Sequence, residues 1–100
     1  MVTILIIDST VRNLDILQQY LNIESIIEVI PKNINGLEFI YNIIKQYSNI
    51  ESLHILSHGV SGSLSIGNLV LNNKNIQEYS FLSEFKNYFV ETGEILLYAC

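Results

Sequence analysis

Leu53-His54-Ile55-Leu56-Ser57-His58-Gly59 is the stretch that decides how this chain is read. Residues 52–57 are read as the third strand, which runs into Ser57-His58-Gly59-Val60-Ser61-Gly62, expected to be a loop. Ser63-Leu64-Ser65-Ile66, Gly67-Asn68 and Leu69-Val70-Leu71 then spell a hairpin. Gly-Asn suits a two-residue turn that pairs Ile66 with Leu69 and Leu64 with Leu71, all four on one face.

Upstream, Val2 to Ile7 is a near-continuous β-branched and aliphatic run, the pattern of a central strand covered on both faces. Asp8, Ser9 and Thr10 follow as loop and cap residues, and Leu14, Leu17 and Leu21 recur with a helical period, so a helix is expected over 11–22. Ile26 to Ile30 is a second strand, closed by Pro31. Asn35 and Glu38 have the spacing of a capping box, ahead of the helical stripe Leu37, Ile40, Tyr41 and Ile44. Downstream, the pattern turns helical from Asn73, restarts at Ser80, carries Leu82, Phe85 and Phe89, and stops at Gly93. Ile95 to Ala99 is the fourth strand, with Cys100 at its tip.

Strands alternating with helices imply right-handed βαβ units. The expected fold is α/β in three layers: a parallel sheet of about four strands in the order 2-1-3-4, helices on both faces, and a small β-hairpin inserted after the third strand. The fourth strand then lies at an edge, apolar on both sides with unpaired backbone groups, and natural sheets seldom leave an edge so adhesive. Residues 1–100 are therefore expected to be a single domain, incomplete at its C-terminus, whose later strands or a partner's edge would cover that strand.

One hundred residues, 49% of them hydrophobic, can build one packed core and not two ordinary domains. Five basic against ten acidic residues give a net charge of -5, and Arg12, Lys32, Lys45, Lys74 and Lys86 are scattered along the chain. That distribution argues against a nucleic-acid or anionic-membrane surface, since both need a basic patch. No apolar run reaches the ~20 residues of a membrane-spanning helix. The start lacks the positive segment of a signal peptide. A lone cysteine, Cys100, excludes an internal disulfide framework and a multi-cysteine zinc site, and no cofactor is implied. Cys100 is left as buried filler, a reactive thiol or a link to another molecule.

In an open parallel sheet, ligands and reacting groups collect at the carboxyl ends of strands, where Asp8, His58 and Cys100 fall. Neighbouring strands lie about 4.8 Å apart, so adjacent third and fourth strands would bring His58 near Cys100. A cysteine beside an imidazole can lose its proton near neutral pH, and the thiolate attacks. Gly59, without a side chain, lets a substrate carbonyl approach its backbone N–H, a donor for the developing oxyanion. These parts suit acyl transfer. The structural alternative is a buried cysteine and an ordinary loop histidine. His54 would lie ~13 Å from His58 along an extended strand, too far to share a metal; it reads as a core histidine. Ser57 reads as a loop hydroxyl or a support for His58. Two rivals lack their parts: a phosphoacceptor domain needs an aspartate where Ser57-His58 stands, and no Gly-x-Gly-x-x-Gly follows the first strand.

The His-Gly segment, Gly62-Ser63-Leu64-Ser65-Ile66-Gly67-Asn68 and Gly93-Glu94-Ile95-Leu96-Leu97-Tyr98-Ala99-Cys100 together resemble the bacterial domain-of-unknown-function family 4347. The opening Ile6-Ile7-Asp8-Ser9 and Asn35-Gly36-Leu37-Glu38 look like it too, so the resemblance covers essentially the whole chain. That family is similar to caspase-like cysteine peptidases. The resemblance implies a truncated caspase-like fold, His58 as general base, Cys100 as nucleophile, and the N–H groups of Gly59 and Cys100 as oxyanion donors. It implies a substrate-reading role for Asp8, against the plain reading of Asp8 as a helix cap. Ala99 departs from the family, which usually has Gly there. With Cys100 last, its own carboxylate disfavours the thiolate, so an inactive fragment of a peptidase-like parent is expected. The family's setting also implies an exported parent, and leaves open a non-catalytic module at the head of a large surface or adhesin-like protein.

Overall fold

The computed structural model describes residues 1–11 and 25–99. Its elements are β1 (Val2–Asp8), β2 (Ile26–Ile30), the helix α1 (Gly36–Ile44), β3 (Ile50–Val60), β4 (Ser63–Ile66), β5 (Leu69–Asn72), 3₁₀ segments at Ile76–Glu78 and Ser80–Tyr88, and β6 (Phe89–Ala99). They form a mixed α/β structure on a six-stranded sheet. The expected order 2-1-3-4 corresponds to β2-β1-β3-β6, and each of these neighbours pairs in parallel. β1 is apolar from Ile4 to Ile7 because both of its faces are buried there: Ile4 and Ile6 face a core with Leu37, Ile40, Ile44, Leu53, Ile55 and Phe85, while Leu5 and Ile7 join Val11 and Leu56 on the opposite side. Each such side chain stabilises the fold by about 1.5–3 kcal/mol relative to exposure. The expected helix over 11–22 falls almost wholly in 12–24, outside the described residues.

The chain departs from the expected elements in two places. The segment 57–62 is not a loop: β3 continues to Val60, pairs antiparallel with β4, and only Ser61 and Gly62 turn. Gly59 and the polar neighbours read as breakers, yet a hairpin partner supplies ladder bonds that a single segment cannot reveal. The second departure follows Asn73, where the turns are 3₁₀ and not α. Leu82 and Phe85 still share a face, since a 3₁₀ turn repeats every three residues, and Phe85 with Phe81 stacks on Tyr41 of α1. Phe89 is already extended (φ -107°, ψ 153°) and opens β6, so Gly93 lies within that strand and does not stop a helix. Opposite Ile50 and Ser52 stand Phe89 and Glu94, so the residues between them bulge out of register.

The β4–β5 hairpin pairs as expected, Ile66 with Leu69 and Leu64 with Leu71. It is docked on the start of α1. Asn35 caps that helix, its Oδ1 accepting from the Leu37 and Glu38 N–H groups at 3.0 and 3.1 Å, and its Nδ2 donating to the Tyr79 hydroxyl. Gly67 bridges to Asn35, and the Asn68 N–H donates to the Ile34 carbonyl at 2.7 Å. Contact this close excludes side chains: a Cβ on Gly67, whose φ is +61°, would stand 2.1 Å from the Ile34 oxygen, and one on Gly36 would stand 2.5 Å from the Ile66 oxygen. Gly67→Ala is expected to lower stability by at least ~2 kcal/mol, combining left-handed strain with a backbone clash. Denaturant unfolding measures this, with Gly62→Ala as comparison, a positive-φ site in open space.

Candidate functional site

Three strand ends meet at one rim of the sheet. The pairing of β1 with β3 stops at Ile7 opposite Leu56, and β6 is described as far as Ala99, opposite Ser57. β3 alone goes on, so His58 is its first residue past those pairings, and β4 becomes its partner with Ser65 opposite His58. Strand alternation turns His58 to the same side as Leu56 and away from that of Ser57.

The exposed imidazole leans on the loop after β1, with Nε2 3.0 Å from the Thr10 carbonyl oxygen. A carbonyl can only accept, so Nε2 carries the proton and Nδ1 of the neutral ring holds the lone pair. Thr10 is in turn held by Asp8, whose Oδ2 accepts from the Thr10 N–H at 3.1 Å and from the Thr10 hydroxyl in a short contact. Asp8 Oδ1 accepts from the Gly67 N–H at 2.6 Å. Asp8 is only 3% exposed. Burial pushes its carboxyl up, but the Thr10 hydroxyl, the Gly67 and Thr10 amides and the nearby His58 outweigh that and hold it below 3.8.

Of the residues singled out in the sequence, Asp8, His58 and Gly59 come together here, and Cys100 lies outside the described residues. The two Asp8 oxygens are engaged inside the protein. The helix that Asp8 is expected to cap also lies outside the described residues; what is described is a local turn, with the Val11 N–H donating to the Asp8 carbonyl at 3.0 Å. Gly59 stands opposite Leu64 in the β3–β4 ladder. Ser57 is fully buried and its Oγ has no hydrogen-bond partner among the described residues. His54 is half-buried, stacked on Tyr98 with Nδ1 3.1 Å from the Tyr98 hydroxyl oxygen, and burial pushes its pKa down against the opposing pull of Glu94. Among the described residues, no three His, Cys, Asp or Glu side chains converge as metal ligands. Thr10 and Gly67 were not legible as site residues. Thr10 carried one local signal, its place two residues after an aspartate; Gly67 carried none, because its tie to Asp8 exists only once the chain is folded.

A mixed α/β domain with a histidine where the inner strand passes from its parallel neighbours to a hairpin partner is the class that fold and site define. Within that class, the family described as "Domain of unknown function (DUF4347)" matches residues 4–100, and the chain belongs to it. Comparison with curated proteins and with solved structures gives no match. Among the described residues, no helix is long and apolar enough to cross a membrane.

Two measurements check this site's energetics. The Asp8 carboxyl titrates lower folded than unfolded, so its stabilisation is complete well above pH 3.8 and is lost as pH falls through the folded value. Stability of the wild type should therefore fall more steeply than that of Asp8→Asn below about pH 4, by urea unfolding across the acid range. Ser57→Ala removes a buried hydroxyl that has no partner among the described residues, and should raise stability by about 1 kcal/mol.

Proposed function

We propose that this domain is a caspase-like cysteine-peptidase module in which His58 is the general base and Cys100 the nucleophile. The observation that carries the reading is the parallel register of β3 and β6, in which Ser57 is opposite Ala99. Those are the residues immediately before His58 and Cys100 in the sequence. The hydrogen bond from Nε2 to Thr10 agrees with it, because it leaves Nδ1 as the nitrogen able to take a thiol proton.

In this mechanism the Cys100 S–H proton passes to His58 Nδ1, and the thiolate sulfur attacks the carbonyl carbon of a peptide substrate. The negative charge moves to the carbonyl oxygen, held by the N–H groups of Gly59 and Cys100. Collapse breaks the C–N bond, the imidazolium returns its proton to the departing amine, and water hydrolyses the thioester. The Gly59 N–H suits this role on ladder geometry. A two-residue turn makes Val60–Ser63 the closing hydrogen-bonded pair, so the alternation makes Gly59–Leu64 a non-bonded pair with that N–H directed away from β4.

The reading leaves the edge of β6 to be completed by further strand, from the same polypeptide or a partner: among the described residues β6 pairs with β3 alone, and its side chains Ile95 and Leu97 are 46% and 59% exposed. The same exposure favours a second reading, a non-catalytic module that uses this edge for assembly, which the resemblance to the family would set in an exported bacterial surface protein.

An electrophilic peptide probe separates the two in the natural gene product. Under the peptidase reading it labels Cys100 at least about a hundredfold faster than free cysteine, and His58→Ala abolishes the excess, the scale of a lost general base. Labelling at the free-thiol rate, indifferent to His58→Ala, defeats the peptidase reading.

A further inference from the structure

We propose that Asp8 is the positioning residue for His58, its buried carboxylate fixing both the carbonyl that receives the imidazole N–H and the hairpin strand that pairs with the His58 backbone. The proposal rests on the reading of His58 as the functional imidazole. It departs from a substrate-reading Asp8, because the carboxylate is turned inward and its oxygens are satisfied by protein donors.

The elements around His58 come from separate parts of the chain. The ring is exposed and hydrogen-bonded at Nε2 to Thr10, a residue that is itself exposed in the loop after β1. Such a carbonyl directs an imidazole only if its own loop is held, since water competes for both groups. Asp8 Oδ2 holds it twice, through the Thr10 N–H and the Thr10 hydroxyl. The other oxygen takes the Gly67 N–H, two residues beyond Ser65, which stands opposite His58 in β4. One side chain thereby sets the ring from its tip and the backbone from its hairpin partner.

The chemistry calls for a carboxylate at this position. Three donors converge on the two oxygens of Asp8. An asparagine would keep one acceptor oxygen and turn an N–H₂ donor toward another donor, so one arm of the arrangement would be released. Serine at position 10 keeps both the N–H and the hydroxyl; valine keeps the N–H and loses the hydroxyl.

Nitrogen-15 NMR of the His58 imidazole in the natural gene product tests the proposal. In the wild type and in Thr10→Ser, the Nε2-bound proton should exchange with water about tenfold more slowly than in free imidazole, which is what one such hydrogen bond provides. Asp8→Asn should return exchange to the free-imidazole rate, and Thr10→Val should move it part of the way. Thr10→Val leaves the Gly67 tie in place and so gives the answer if Asp8→Asn does not fold. Exchange unchanged in a folded Asp8→Asn protein, or in Thr10→Val where that protein does not fold, overturns the proposal. Probe labelling of Cys100 in the same variants keeps the two ideas apart. Free-thiol labelling throughout, with altered ring exchange, removes the peptidase and leaves the positioning role standing. Fast labelling that Asp8→Asn does not slow removes the positioning role and leaves the peptidase.

Discussion

β3 has to satisfy two different sets of neighbours, and the rest of the molecule is arranged around that requirement. Up to Ser57 it is the inner strand of a parallel sheet, hydrogen-bonded to β1 on one side and β6 on the other. From His58 it is one arm of an antiparallel hairpin with β4. A buried inner strand must be apolar and fully paired; a strand that outruns its parallel neighbours must find a new partner or expose its backbone. The exchange takes place within one residue. It lets a polar, exposed side chain be presented by one of the best-buried strands in the protein.

The hairpin that makes this possible is held from two directions. On the apolar side, Ile66 is buried and Leu64, Leu69 and Leu71 pack against the core beneath α1. On the polar side, the Gly67 turn meets the start of α1 and the carboxylate at the end of β1. A buried carboxylate is costly unless its oxygens are satisfied, and here backbone amides and a neighbouring hydroxyl do so. The arrangement places fixed negative charge behind the rim where the strand tips gather. Ser57, the residue before His58, is the contrary case, a fully buried hydroxyl without a partner among the described residues.

Where the sequence was readable, it was so because one segment's environment dominated its choice of residues. β1 carries a near-continuous apolar run, β2 a short run broken by Glu28 and closed by Pro31, Asn35 shows the cap and α1 its stripe, and Gly67-Asn68 marks the hairpin turn; all of these reappear in place. The misread segments depended on a partner elsewhere. The extension of β3 through Gly59 looks like loop material until β4 is beside it. The stretch from Leu82 to Phe89 has helical spacing, but its final aromatic belongs to β6, whose first residues follow Ile50 before bulging.

By itself the sequence determined the parallel order of the inner strands, the β4–β5 hairpin and the place of Asp8 at the end of β1. Periodicity, turn chemistry and handed crossovers are local constraints that each segment carries within it. Only the tertiary structure decided which nitrogen of His58 bears the proton, which way the Asp8 carboxylate faces, and that Thr10 and Gly67 belong beside them. Those are distances between residues as far apart as 8 and 67, and they come into being only when hydrogen-bond donors from separate elements converge on the same acceptor.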